Sequence, residues 1–316
     1  MHHRQLGHTD LHIAPLVFGA NVFGWTVDRE RSFLLLDRLA EAGINAIDTA
    51  DIYSHWAPGN KGGESETIIG EWLKQSGKRA STIVITKVGG PQGRKKGLAA
   101  DYIAEACEAS LKRLGVETID LYLAHFPDPD TPHEETLEAF HRLKQAGKIR
   151  WHGCSNFDAG QLRASLDAAK AAGLPRYEVV QPEYNLYDRA GFDSALRALC
   201  MAENIGVITY FSLAKGFLSG KYRSEADLVK SPRGGGVKAY LNPRGFRILA
   251  ALDEVAARLS ATPAEVALGW IIHRPGVTAP IASATTLAQV ESLIRATTLE
   301  LSPEDVAALD AASATE

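Results

Sequence analysis

The sequence predicts an α/β chain closed into a (β/α)8 barrel, with a β-hairpin before the first strand and a long loop after the seventh. Three observations carry this. Short apolar runs alternate with helical spacings along nearly the whole chain, which implies parallel strands joined by crossover helices. Eight such units fall in about 280 residues, the usual size of a closed barrel. The competing open doubly wound sheet calls for Gly-x-Gly-x-x-Gly after its first strand. That strand instead runs into Gly19-Ala20-Asn21-Val22-Phe23-Gly24.

The elements follow in order. Residues 4–13 read as a hairpin around a polar Gly-His-Thr-Asp turn, placed to cap the bottom of the barrel. Residues 16–19 are the first strand. Residues 29–42 carry Phe33, Leu35, Leu36 and Leu39 at helical spacing and stop at Gly43. The second unit pairs a strand at 44–48 with a helix at 64–74. The third and fourth pair 82–86 with 101–114, and 119–124 with 134–146, which ends at Gly147. Strand 149–154 and helix 158–172 follow, then 178–181 with 191–204 and a seventh strand at 206–210. Residues 211–241 form a break rich in Gly, Lys and Arg; loops that long are usually lids or binding loops. Its Gly234-Gly235-Gly236-Val237-Lys238-Ala239 does not follow a strand, so it reads as a flexible loop. Residues 277–281 and 288–296 supply the last pair. With no boundary visible, residues 1–316 are expected to form a single domain.

Composition excludes several functional classes. A net charge of −4, from 34 basic and 38 acidic residues, supports neither a nucleic-acid partner nor an anionic membrane surface. No apolar run approaches the ~20 residues of a membrane helix. The N-terminal residues lack the apolar core of a secretion signal. Cys107, Cys154 and Cys200 cannot all pair and lack zinc spacing, so no metal is expected and the compartment expected is the cytoplasm. Oligomeric state is not readable from the sequence.

In such a barrel, chemistry sits at the C-terminal ends of the strands. The second strand ends in Asp48-Thr49-Ala50-Asp51-Ile52-Tyr53, the third in Thr86-Lys87, the fourth in His125, the fifth in Ser155-Asn156, the sixth in Gln181 and the seventh in Tyr210. Carbonyl reduction needs a proton for the oxygen once hydride reaches carbon. A tyrosine can give it, but its free pKa is ~10, and lowering this to ~7 requires roughly 4 kcal/mol of preferential phenolate stabilisation. A neighbouring lysine cation provides that field. A carboxylate keeps the lysine charged, and a histidine donor orients the substrate. Tyr53, Lys87, Asp48 and His125 fit these roles. Taken singly, each has an ordinary structural reading: a solvated lysine, a loop-capping aspartate, a packed histidine, a half-buried tyrosine. Their placement at three successive strand ends favours the chemical one.

These residues lie in motifs that resemble the aldo-keto reductases over essentially the full chain. The motifs are Gly43-Ile44-Asn45-Ala46-Ile47-Asp48-Thr49-Ala50-Asp51-Ile52-Tyr53, Thr86-Lys87, Asp120-Leu121-Tyr122-Leu123-Ala124-His125, Gly153-Cys154-Ser155-Asn156-Phe157, Gln181-Pro182-Glu183-Tyr184-Asn185, and Leu213 through Tyr222. The segment Trp56 through Glu66 is similar to the bacterial branch that also resembles potassium-channel β subunits. The resemblance implies NADPH, or NADH, bound without a Rossmann domain, and reversible reduction of an aldehyde or ketone. Tyr53 would be the proton donor, helped by Lys87 and Asp48, with His125 orienting the substrate.

Among the cofactor residues, the resemblance implies that Ser155, Asn156 and Gln181 hold the nicotinamide carboxamide and that Tyr210 stacks on its face. Ser212, Leu213 and Lys221 would contact the diphosphate under the loop, with Lys215 adding positive charge. Ser283, Thr285 and Gln289 would form the adenosine-phosphate site, and Gly19 joins the cofactor set. Many relatives carry arginine where Thr285 stands and others serine; Arg233, Arg244 and Arg247 of the long loop are the candidates for supplying that charge. Phe211 and Ser212 occupy positions that are often serine and proline. Trp25, Trp56 and Phe126, with His125, are the candidate substrate wall. Two other classes remain open: a cofactor-sensing binding subunit, and a Schiff-base aldolase using Lys87.

Overall fold

The computed structural model describes residues 1–90, 97–232 and 234–314. Two short strands, β1 (Arg4–Gln5) and β2 (His12–Ile13), pair antiparallel as the N-terminal hairpin. Eight parallel strands follow: β3 (Val17–Gly19), β4 (Ala46–Asp48), β5 (Ile83–Val88), β6 (Ile119–Ala124), β7 (Ile149–Ser155), β8 (Val179–Gln181), β9 (Gly206–Thr209) and β10 (Ala279–Ala282). Each pairs with the next, and β10 returns to β3, so the sheet closes into a TIM barrel.

Helices α1 (Arg29–Glu41), α2 (Glu64–Ser76), α3 (Ala100–Leu114), α4 (His133–Gln145) and α5 (Ala159–Ala172) surround the first half. Local chemistry fixes their ends. Asp28 caps α1 by accepting from the Arg31 N–H, and Asp158 with Gln161 closes a reciprocal capping box on α5.

Strand alternation divides the interior into two cores. Val17, Ala46, Ile85, Leu121, Leu123, Val179, Ile208 and Ala279 fill the barrel. Val84, Val88, Tyr122 and Cys154 face outward onto the helices. The hairpin inserts Leu6, Leu11 and Ile13 beneath the inner layer, as expected of a bottom cap. It sits so close that a Cβ on Gly7 would lie 2.5 Å from the Gly206 nitrogen, and Gly7 itself adopts a φ of +60°; a side chain at either glycine would push the hairpin off.

The structure departs from the sequence reading after β8. The helix expected at 191–204 is broken at Ser194 into α6 (Ala190–Asp193) and α7 (Ala195–Ala202). Among the described residues, the segment expected as an open loop winds into short 3-10 turns within Ala214–Ser219, where positive φ at Lys215 and Gly216 breaks the winding, and over Glu225–Lys230 and Gly234–Tyr240. Two unforeseen helices follow, α8 (Pro243–Leu259) and α9 (Pro263–Ile272), each with proline in its first turn behind a capping Asn242 or Thr262. Helix α10 (Leu287–Ala296) completes the barrel, and an unforeseen α11 (Pro303–Ser313) packs on α8. All three cysteines are buried and free, and no single helix among the described residues is long and apolar enough to cross a membrane.

His152 on β7 is buried, its ring stacked on Phe140 at 5.3 Å and 8°, with Nδ1 lacking a partner. Burial pushes its pKa down to about 4, against the pull of the Pro175 carbonyl. The folded chain therefore binds this proton less readily than the unfolded chain does. The stability is complete above the unfolded value near 6.5 and is lost as pH falls toward 4, about 2 kcal/mol of it by pH 5. His152→Phe keeps the stacked ring and should narrow the pH 7 to pH 5 gap in urea-unfolding free energy by that amount. An unchanged gap would count against this account.

Candidate active site at the barrel mouth

Lys87 and Asp48 lie on adjacent strands and point into the barrel just above the last apolar layer. Lys87 is completely buried and Asp48 is 2% exposed. The Lys87 Nζ donates to Asp48 Oδ1 at 2.7 Å, to the Thr49 carbonyl at 2.7 Å and to Tyr53 Oη at 2.9 Å. Burial alone would lower the lysine pKa; Asp48 and Tyr53 more than offset it and hold the ammonium above its ordinary range. Burial pushes the Asp48 carboxyl up, opposed by Lys87 and by Gln181, whose Nε2 donates to Oδ2 at 2.8 Å. Tyr53 reaches this pair from the β4–α2 connection, where the chain turns through a left-handed Ser54.

The other strand ends interlock. His125 packs edge-on to Tyr53, with ring centroids 6.0 Å apart, and stacks on Phe126 at 4.8 Å. Burial, then the Lys87 charge, push its pKa well below the ordinary histidine value. Asn156 donates from Nδ2 to the His125 carbonyl at 2.8 Å and accepts from Tyr210 Oη at 2.6 Å. Ser155 Oγ donates to the Gln181 carbonyl at 2.8 Å. Tyr210 is thereby fixed by its hydroxyl and meets Phe211 edge-on at 5.1 Å. Beside this group, Asp51 is pushed up to about 7 by burial and then by Glu66, and its Oδ1 has no partner.

A cleft of about 640 Å³ runs from Tyr53 across the mouth to α10. Asp48, Tyr53 and His125 line one end, along with Trp56 and Phe126. Lys87 lies behind Tyr53 and does not line the cleft. Trp25 does not line it either; its ring meets Trp56 edge-on at 5.7 Å, so it backs the wall. Gly19, Ser155, Asn156, Gln181 and Tyr210 line the middle, and Ser212, Leu213, Lys215 and Lys221 come from the long segment that follows β9, the belt of the cleft. Ser283, Thr285 and Gln289 line the far end. There the Gln289 Oε1 accepts from both the Thr285 N–H at 2.7 Å and its hydroxyl at 3.1 Å.

Two of the three arginines considered for that end turn elsewhere. Arg244 donates to the Tyr187 and Ser313 carbonyls, and Arg247 to the Ala312 carbonyl, so both fasten α8 to α11; neither lines the cleft. Arg233 lies outside the described residues. The cleft brings in side chains that the sequence reading did not name: Asn21, which accepts from Ser283 Oγ at 2.6 Å, and the cations Arg31 and Lys230. Asn21 stands two residues past the first strand, where the strand-end rule would have found it.

Fold and site together define the class of protein, a (β/α)8 barrel with a buried Asp–Lys pair under a tyrosine at one end of a polar cleft. The chain belongs to the aldo/keto reductase family, an oxidoreductase family, whose model matches residues 15–314. It is 32% identical over 307 residues to the "Probable voltage-gated potassium channel subunit beta" of Arabidopsis thaliana, covering 94% of this chain and 91% of that protein. It is 30% identical to "Protein tas" of Escherichia coli, over 98% and 97% of the two chains. "Aldo-keto reductase str7" of Strobilurus tenacellus is 31% identical, over 91% and 82%.

A neutral His125 follows from its surroundings. Its ring nitrogens should keep neutral-imidazole NMR shifts at pH ~6.5, where an ordinary histidine is half protonated; a titration midpoint there would contradict this placement.

Proposed function

We propose that residues 1–316 act as one NADPH-dependent reductase of aldehyde and ketone carbonyls, working reversibly in the cytoplasm, with Tyr53 as proton donor. The observation that carries this reading is the Lys87 ammonium, 2.9 Å from Tyr53 Oη and paired with Asp48. A charged lysine beside a phenol stabilises the phenolate left after proton transfer. A neutral His125 ring is a hydrogen-bond donor, not an acid, so it would orient the carbonyl oxygen beside the Tyr53 hydroxyl. The Schiff-base alternative loses support, because a lysine nucleophile must be neutral and Lys87 is held charged by three acceptors.

The cleft suits the dinucleotide. Amides and hydroxyls sit at the Tyr53 end, cations in the belt, and the N-terminus of α10 at the far end. NADPH, when bound, supplies the hydride. Ser155, Asn156 and Gln181 would hold the carboxamide, with the Tyr210 ring against the nicotinamide face. Gly19, Ser212, Leu213 and Lys221 would line the diphosphate path, and Ser283, Thr285 and Gln289 the adenosine phosphate. Trp56, Phe126 and His125, with Trp25 behind, would form the substrate wall; Trp56 is 40% exposed and free to meet an apolar group.

Purified protein should quench on NADPH titration and oxidise NADPH with members of an aldehyde and ketone panel. Tyr53→Phe should bind NADPH as wild type does and lose at least about a hundredfold in kcat, within the range for a positioned proton donor; retained turnover would remove Tyr53 from that role. Binding without oxidation by any carbonyl would favour a cofactor-sensing subunit instead.

Thr285 brings a hydroxyl and no charge, so the preference for NADPH over NADH should be small when the two are titrated side by side. Thr285→Arg should tighten NADPH about tenfold, the value of one charge-assisted contact, and leave NADH unchanged. Equal effects on both cofactors would place the 2′-phosphate elsewhere.

A further inference from the structure

The inner wall of β4 and β5 carries Asp48 and Lys87; the outer wall carries their neighbours Thr49 and Thr86. Outward positions on β5 are otherwise apolar: Val84 and Val88 pack onto the helices. A valine would suit position 86 on packing grounds. Instead Thr86, fully buried, donates its hydroxyl to Glu66 Oε1 at 2.6 Å. Glu66 is also fully buried, in the first turn of α2, and its other oxygen accepts from Arg113 Nε of α3 at 2.6 Å. One residue earlier, Ser65 accepts from the Thr49 hydroxyl at 2.9 Å and donates to the Ala20 carbonyl at 2.8 Å. The Thr49 carbonyl is itself one of the three acceptors around Lys87 Nζ.

An ion pair between a buried carboxylate and a partly exposed guanidinium adds little net stability compared with apolar residues of the same size. Its geometric consequence is larger. Helix α2 is seated so tightly on the end of α3 that a Cβ on Gly70 would lie 2.4 Å from the Arg113 carbonyl. The Glu66 carboxylate therefore stands on a rigid base of two helices. It grips the residue directly preceding Lys87, while Ser65 grips the residue directly following Asp48. Lys87 must hold three oxygens at hydrogen-bond distance at once, and a site tolerates only about 0.5 Å of error.

We infer that Thr86 and Glu66 are positioning residues for the Lys87 ammonium, setting its distance to Tyr53 from the outer wall of the barrel. The inference rests on the reductase reading above. The groups facing Lys87 are Asp48, Tyr53, Asp51 and His125; those facing Glu66 are Arg113, Asp51, Cys107 and Tyr122.

The test is kcat per NADPH-binding site, its pH profile, and NADPH affinity. Thr86→Val should lower kcat about tenfold or more, as displacement of a catalytic group does, with NADPH Kd within about twofold. It should also move the alkaline limb of the profile upward, because a displaced ammonium leaves the phenol harder to ionise. Thr86→Ser keeps the hydroxyl and should restore the rate and the limb. Glu66→Met removes the acceptor while leaving Arg113 able to reach water; it should copy Thr86→Val, and the double variant should be no slower than either single one. Should the valine variant fail to fold, Glu66→Met carries the same expectations. A wild-type rate per site and profile in these variants, or effects that multiply in the double variant, would overturn the inference. Wild-type protein that reduces no carbonyl would remove the reductase reading and this inference with it; active wild type with unaffected variants removes the inference alone.

Discussion

A fully buried ammonium is the constraint around which the barrel mouth is arranged. Lys87 has no exposed surface, and a lysine moved out of water neutralises unless oxygens replace the lost hydration. Three do so here, and they come from different places: a side chain at the end of β4, a backbone carbonyl one residue later, and a phenol further along the same connection. Asp48 in turn needs a second donor, which Gln181 supplies from β8, four strands from β4 in either direction and so directly across the ring. An open sheet would not bring β8 within 2.8 Å of a carboxylate on β4. The ion pair thus depends on closure of the barrel, and closure at the top would bury an uncompensated charge without the pair.

The bottom of the barrel contributes to the same end. Leu6, Leu11 and Ile13 of the hairpin complete the apolar filling under Ile85 and Leu123. Water is kept from below the Asp48–Lys87 layer, so the field of the ammonium is weakly screened where Tyr53 sits. The hairpin lies at the end of the barrel opposite the cleft. Its packing against Gly206 nevertheless belongs to the electrostatics of the mouth.

The strands and their polar ends were legible because two simple regularities coincide: apolar runs mark the strands, and chemistry in a barrel clusters just beyond them. That reasoning reached Asp48, Tyr53, Lys87, His125, Ser155, Asn156, Gln181 and Tyr210, all of which meet at one mouth. It missed what depends on direction. Helix α9 is buried from Val266 to Ile272, so it has no polar face to give it a helical period. Helix α8 is amphipathic and opens with Asn-Pro, but it lies beyond the break at 211–241, in a stretch that the eightfold strand–helix count does not include. Missing α8 also misplaced Arg244 and Arg247, which face α11. The Gln181–Asp48 bond joins residues 133 positions apart and follows from strand shear, which no local pattern encodes.

The two sides of the cleft are held differently. On the Tyr53 side the Lys87 ammonium has three fixed acceptors, on strands braced by α2 and α3. The belt side is strained. Phe211, Ala214 and Lys215 all adopt positive φ, between 46° and 58°, where only glycine is comfortable, at a cost of order 1–3 kcal/mol each. Asn185 Nδ2 holds the Phe211 carbonyl at 3.0 Å, and the Lys215 ammonium lies over the Phe211 ring at 5.2 Å. Strain of this kind persists only where the surroundings enforce it, and here it turns Phe211 and Lys215 toward the cleft instead of toward solvent. Hydrogen bonds fix the groups where a proton must be placed to within a fraction of an ångström, while positive φ recurs at Phe211, Ala214 and Lys215 where a long, charged ligand would have to be covered.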